Sequence, residues 1–325
     1  MIAPQRLQPA GRERQRTKSD TRGVDRYDYR TLSPILYAKA VLHSKTFPKN
    51  SGSFIAPRVM SATDPDNALF RGGDPDFMTS LARGLHVIRA FAGVDRRLTI
   101  ADVSRATGLT RAVVRRCLYT LRELGYAATD GRTYFLQPRI LNLGYAYLST
   151  APVPIAAQPV LEEMSELLGE ASSVAVLDDG AVVYVARAAT KRIMSVTLGV
   201  GSRLPAYCTA LGRVLLAHLS EEQVSAELPK VDFVQHTKYT VTSRKKLEEV
   251  LSTVRTEGYA LNDQELEIGL RSIAVPVRNV VGAVVAAMNV STQASRVSRR
   301  ELLERCLPIL LTAADKLSSQ LPPPR

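Results

Sequence analysis

The sequence predicts an α+β protein. It reads as an N-terminal winged helix-turn-helix, a linker helix and a larger C-terminal domain on an antiparallel sheet. Three observations carry this. Residues 79–150 show three short amphipathic helical stripes followed by a two-strand hairpin. Residues 155–325 interleave apolar strands with capped helices. The charge also divides at the junction: residues 79–150 carry eleven Lys/Arg against four Asp/Glu, whereas residues 151–325 carry nineteen of each.

A chain of 325 residues is long enough for two domains, each with its own core. With 45% apolar and 23% charged residues it is neither disordered nor fibrous. Of the net charge of +12, residues 1–59 contribute +8, residues 60–78 −3 and residues 79–150 +7. This favours a polyanionic partner, and charge alone does not separate DNA from RNA or anionic lipid. No apolar run approaches the ~18–20 residues that span a bilayer, so no membrane partner is expected. The N-terminal basic residues have no apolar segment behind them, and no secretory signal is expected. Cys117, Cys208 and Cys306 are widely separated, without disulfide or metal spacing, which fits a reducing cytoplasm. Residues 1–77 are expected to be a mobile basic extension. A translation start at Met60 or Met78 is the alternative for residues 1–59.

The head is expected over residues 78–137. Leu81, Leu85, Ile88 and Phe91 make one helical stripe over about Thr79 to Phe91. Thr99-Ile-Ala-Asp102 has the form of a capping box and opens a second helix, with Ile100, Val103 and Ala106 inward. Gly108 ends it, as suits a residue that must take positive φ. The third helix, Thr110 to Leu124, groups Val113, Val114, Cys117, Leu118, Leu121 and Leu124 on one side. Arg111, Arg115 and Arg122 share an adjacent face, while Ala112, Arg116 and Tyr119 point outward. Such a helix suits a major groove, because guanidinium forks match guanine edges and phosphates. Taken alone, a solvated face explains the arginines better, but the tight Thr107-Gly108-Leu109 turn after a capped helix reverses this in favour of the groove. Tyr126–Ala128 and Thr133–Leu136 form a hairpin through Asp130-Gly131, a wing with Arg132 at its tip. Pro138 opens a helix at Arg139–Leu148, within a linker at residues 138–150. Its Ile140, Leu141, Leu143 and Tyr147 suit packing between protomers. Ala151-Pro-Val-Pro154 marks the boundary to a C-terminal domain at residues 151–322.

In that domain a helix is expected at Ile155–Leu168. Strands are expected at Ser173–Leu177, Ala181–Arg187, Ile193–Leu198, Tyr259–Leu261, Arg271–Arg278 and Gly282–Val290. Further helices fall at Thr209–His218, Ser220–Glu227, Ser243–Glu257 and Ser298–Leu317. Capping boxes at Ser220-Glu-Glu-Gln223 and Ser298-Arg-Arg-Glu301 fix two starts. Turns at 178–180 and 279–282 imply antiparallel pairing. Nothing here amounts to a catalytic or metal centre. Cys208 and His218 would lie at opposite ends of one helix, ~15 Å apart at 1.5 Å per residue. Gly199-Val-Gly201 lacks the rest of a dinucleotide fingerprint. Asp263, Glu265 and Glu267 have no histidine beside them and read as a solvated loop. His43, His86, His218 and His236 have no metal spacing. No cofactor and no metal are expected.

Three segments resemble the isocitrate lyase regulator (IclR) family of bacterial transcription factors, over residues 78 to about 320. Gly201-Ser-Arg-Leu-Pro-Ala-Tyr-Cys-Thr-Ala-Leu-Gly-Arg-Val-Leu-Leu-Ala217 is similar to the effector-domain signature. Gly258-Tyr-Ala-Leu-Asn-Asp-Gln-Glu-Leu-Glu-Ile-Gly-Leu-Arg-Ser-Ile-Ala-Val-Pro-Val277 is a second match. Leu109-Thr-Arg-Ala-Val-Val-Arg-Arg-Cys-Leu-Tyr-Thr-Leu-Arg-Glu-Leu-Gly-Tyr126 resembles the branch that controls protocatechuate and 4-hydroxybenzoate catabolism. The resemblance implies a GAF-like effector domain for a small organic acid. It also implies double-stranded promoter DNA as partner, and homodimers, in many members paired into tetramers. The implied effector pocket is Ile193, Val196, Leu204, Ala210, Leu211, Asn262, Ser272, Asn289 and Ser291. Thr209, Ala210 and Leu211 open a helix whose free N–H groups suit a carboxylate. Members that bind small keto acids have acidic and thiol side chains where this chain has Asn262 and Ser272, so the resemblance implies a different ligand. Thr110, Arg111, Ala112, Arg115, Arg116, Tyr119 and Arg132 are expected on DNA. The functional expectation is a cytoplasmic DNA-binding regulator, not an enzyme, responding to an aromatic acid or its ring-cleavage product. A constitutive DNA-binding protein and an enzyme for a small organic acid are the alternatives.

Overall fold

The computed structural model describes residues 74–92, 97–189, 198–227 and 233–322. In the head, α1 (Thr79–Arg89), α2 (Ile100–Thr107) and α3 (Arg111–Glu123) close around Val87, Phe91, Val103, Val114 and Leu118. The Thr99 capping box is complete. Thr99 Oγ1 accepts from Asp102 N, and the Asp102 carboxylate accepts from Thr99 N. Gly108, at φ 69°, ends α2 in the left-handed region that strains any side chain, so the chain turns directly into α3. The hairpin of β1 (Ala127–Thr129) and β2 (Tyr134–Leu136) follows, with Leu98 bridged to Tyr134.

Three apolar positions depart from expectation. Leu81, Leu85 and Leu124 are 58%, 48% and 52% exposed. α1 turns Val87 inward and ends in a 3₁₀ turn at Ala90–Ala92 that buries Phe91, which leaves the Leu81–Leu85 stripe on its outer side. Leu124 lies past the last turn of α3, where Gly125 at φ 76° sends the chain away. The linker comprises a 3₁₀ turn at Pro138–Ile140 and α4 (Leu141–Leu148), and no residue of α4 is buried. α5 (Pro152–Leu168) starts within the Ala151–Pro154 segment, not after it. First-turn N–H groups have no intrahelical partner, so Pro152 and Pro154 cost α5 no hydrogen bond.

The body is built on one antiparallel sheet, ordered β5-β4-β3-β8-β7-β6. Its strands are β3 (Ala171–Asp178), β4 (Ala181–Ala188), β5 (Arg203–Pro205), β6 (Ala260–Asp263), β7 (Leu270–Arg278) and β8 (Val284–Gln293). Asp179 at φ 51° and Gly180 at φ 69° give the β3–β4 turn the left-handed pair that a tight hairpin needs. β5 has no counterpart in the sequence reading, because three residues are too few to show alternation. The strand expected at Ile193–Leu198 falls almost wholly on residues 190–197, outside the described residues.

Strand alternation gives the sheet two buried faces. Val174, Ile273, Val275, Met288 and Val290 pack under α5 and the C-terminal helix. That helix runs from α9 (Arg299–Glu301) through a π turn at Leu302–Cys306 into α10 (Leu307–Ser319). On the other face Ala175, Tyr184, Ala274 and Ala287 pack under α6 (Ala210–Ala217) and α8 (Arg244–Glu257). A short α7 (Glu221–Glu227) lies between them in the chain, opened by the Ser220–Gln223 capping box. Gly212 lets α6 pack closely on the segment that leads into it: a Cβ there would lie 2.2 Å from the carbonyl oxygen of Ala206.

Candidate DNA interface and ligand face

In the head, the first turns of α2 and α3 and the wing surround one open concavity. Its volume is about 500 Å³, and Thr99, Ile100, Ala101, Arg111, Ala112, Arg115 and Arg132 line it. Thr110 caps α3, its Oγ1 accepting from Val113 N. Arg111, Ala112, Arg115, Arg116 and Tyr119 are all exposed, as is Arg132. Arg111, Arg115, Arg116 and Arg132 form no ion pair with any of the described residues, so their charge faces outward. Arg122 differs. Its Nε and Nη2 donate to the Glu123 carboxylate at 3.0 and 2.7 Å, and its guanidinium stacks over Tyr119.

The wing is held by one carboxylate. Asp130 accepts from Thr133 Oγ1, Thr133 N and Arg132 N, and from Arg97 Nη1 at 3.0 Å. The Thr133 hydroxyl, ahead of the two backbone N–H groups, keeps that carboxyl well below the usual range. Arg97 also stacks 4.2 Å above Phe135, which fixes the hairpin that carries Arg132. Arg139 completes the frame, donating to Leu124 O at 2.8 Å at the end of α3.

In the body, the α6 side of the sheet carries a polar group within an apolar face. Asn262 pairs with Ser272, and Ser272 with Ser291, across β6, β7 and β8. One step along, Ala274 pairs with Asn289, Asn289 with Ser173, and Ser173 with Arg187. Asn262, Ser272 and Asn289 are buried, and Ser291 is half-buried. Leu204 packs against the same face, and Ala210 and Leu211 are buried in it. Thr209 caps α6, accepting from Gly212 N, so the chain itself satisfies one N–H at that helix start. Asn262 Nδ2 donates to Cys208 O at 2.9 Å and ties β6 to the segment before α6. Ile193 and Val196 lie outside the described residues.

The acidic segment is not a solvated loop. Arg213 Nη1 and Nη2 donate to Glu265 at 2.6 and 2.7 Å, and both side chains are buried. Glu265 also accepts from Val241 N. Asp263 takes both Nε and Nη2 of Arg271. The partners come from α6 and β7, and the Arg213–Glu265 pair spans 52 residues, so local spacing does not show it. Cys208 is buried, and burial pushes its thiol up to about 12, the opposite of an activated nucleophile. No helix among the described residues is long and apolar enough to cross a membrane.

Residues 145–319 match the family profile described as bacterial transcriptional regulator IclR C-terminal, and residues 80–131 match the IclR helix-turn-helix domain. The chain belongs to the IclR family. It is 52% identical over 250 residues to the Pca regulon regulatory protein of Pseudomonas putida, covering 77% of this chain and 86% of that one. It is 38% identical over 248 residues to the p-hydroxybenzoate hydroxylase transcriptional activator of Acinetobacter baylyi, covering 74% and 91%. Among solved structures it resembles an IclR homologue from Microbacterium hydrocarbonoxydans complexed with 4-hydroxybenzoate. That match has a TM-score of 0.64 and 26% identity, over 75% of this chain and 99% of the other. Like its IclR relatives, the protein is a DNA-binding transcriptional regulator and not an enzyme.

The sequence reading did not single out two further polar residues on the α6 side of the sheet, Ser173 and Arg187. The signal for Arg187 was present. It is a lone charge within Ala181–Ala188, a strand otherwise made of Ala, Val and Tyr. A charge among apolar strand residues marks a position that needs a partner, a ligand or water.

Proposed function

We propose that this regulator reads promoter DNA through the arginine-lined concavity and responds to a small aromatic carboxylic acid on the α6 side of its sheet. Thr110, Arg111, Ala112, Arg115, Arg116 and Tyr119 meet the major groove and its phosphates, with Arg132 on the wing. Leu204, Thr209, Ala210, Leu211, Asn262, Ser272, Asn289 and Ser291 receive the effector, together with Ile193 and Val196. The head extends over residues 78–137, the linker over 138–150 and the effector domain over 151–322. One observation carries the effector reading: buried Asn and Ser side chains stand together in an apolar face beneath a helix start. Such a face buries a ring while a few polar groups orient it. The 4-hydroxybenzoate complex of the Microbacterium homologue supports an aromatic acid.

The working unit is a homodimer, and dimers pair into tetramers. Support comes from α4, where Leu141 and Tyr145 are 70% and 67% exposed, and from the outer stripe of α1. An exposed apolar helix calls for a second copy to cover it. Thermal unfolding of the full chain against a panel of aromatic acids tests the effector reading. A ligand at 100 times its Kd stabilises the folded state by about 2.7 kcal/mol. No shift with any acid would contradict it.

A further inference from the structure

Two buried polar atoms on the ligand face have no partner, and they belong to one cross-strand row. Arg187 pairs with Ser173, and Ser173 with Asn289, so the three side chains share the α6 side of the sheet. Arg187 Nη1 donates to Ser173 Oγ at 3.0 Å, while its buried Nε donates to nothing. Among the described residues no carboxylate pairs with this guanidinium. Burial holds it below the ordinary arginine value, and Tyr184 is the group nearby that opposes this. At the other end, Asn289 is 3% exposed. Its Nδ2 donates to Ser291 Oγ at 3.0 Å, and its Oδ1 is buried without a donor. A half-buried cation whose Nε is buried without an acceptor, and a buried amide oxygen without a donor, are both unfavourable until a ligand supplies them.

We infer that Arg187 receives the carboxylate of the effector and that Asn289 Oδ1 accepts a hydrogen bond from a hydroxyl at its far end. The ligand is then a hydroxylated aromatic carboxylate lying along the row. This rests on the reading of the face as the effector site. Nε with a neighbouring Nη forms the two-pronged fork that fits a carboxylate. Adjacent strands lie about 4.8 Å apart, so the backbones of Arg187 and Asn289 are separated by about 10 Å across Ser173. Both groups stand on one row of one face, so a single ring carrying a carboxylate and a hydroxyl can address the two. The start of α6 is the competing anion anchor, but Thr209 already caps it.

Calorimetric titration of the full chain with 4-hydroxybenzoate, benzoate and 4-hydroxybenzamide separates the two ends. The wild type is expected to bind the hydroxy acid about a hundredfold more tightly than the amide, as for loss of a buried charged contact. It should prefer the hydroxy acid over benzoate by about tenfold, as for one orphaned buried acceptor. Arg187→Gln should bring the acid-to-amide ratio close to one. Asn289→Ala should abolish the preference for the hydroxyl and leave the acid-to-amide ratio intact. An Arg187→Gln protein that keeps its preference for the acid would overturn the inference while the effector reading stands. A wild type that binds none of the three would remove both. If Arg187→Gln fails to fold, ¹⁵N-arginine spectra of the wild type decide. The Nε signal absent from Arg187→Lys should move with 4-hydroxybenzoate and not with the amide, and an unmoved signal would refute the anchor.

Discussion

Arg115 lines the concavity between the two helix starts, exposed and without an acidic partner among the described residues. Each phosphate neutralised contributes roughly 0.9 to the slope of log affinity against log salt. Arg115→Ala should therefore lower that slope by about one unit in fluorescence anisotropy with duplex DNA, and an unchanged slope would remove Arg115 from the interface. Arg122→Ala should change it little, because that guanidinium is engaged by Glu123. Two histidines set a pH dependence. His218 is half-buried, with Nδ1 on Val214 O and Nε2 facing Arg278 Nη2 at 3.1 Å. Burial, ahead of the nearby arginines, lowers its pKa, and burial lowers that of His236. Below the ordinary value of 6.5 the unfolded chain takes protons that these folded sites resist. Stability should thus fall as pH drops through 6.5. Urea midpoints at pH 7.5 and 5.5 measure this, and replacing both histidines with Gln should flatten the decline. At this scale sequence reading located exposed arginines well, since helical spacing alone sets them outward. It misplaced Glu265, because the Arg213 that buries it belongs to α6.

Elements with a local chemical marker were legible. Thr99, Thr110, Ser243 and Ser298 cap the helices they were expected to open, because a hydroxyl accepting from an N–H two or three residues on is a short-range interaction. The turns at Asp179-Gly180 and Gly282 were legible for the same reason. The face of α1 was not, since apolar periodicity gives a stripe without saying whether the chain itself or a partner covers it. Two substitutions test how α6 is held. Gly212→Ala forces a Cβ into the Ala206 backbone, and overpacking of this kind costs about 3 kcal/mol. Glu265→Ala leaves Arg213 buried and uncompensated, at a cost of about 3–5 kcal/mol. Chemical denaturation of each variant reads both, and near wild-type stability would mean that α6 docks otherwise.

For the whole molecule, regulation requires the effector to bind the DNA-competent and DNA-incompetent arrangements with different affinity. The exposed apolar residues of α4 are where paired copies are expected to meet. Tyr145→Glu should shift the sedimentation profile toward monomer and weaken DNA binding with it, whereas an unchanged profile would place the contact elsewhere. Coupling between face and head is read by titrating duplex DNA, selected by the protein from a random pool, with and without saturating 4-hydroxybenzoate. The expected result is a change in DNA affinity of roughly 5–150-fold, abolished in Arg187→Gln. Identical DNA affinity with and without the bound acid would contradict a regulator governed from its sheet face.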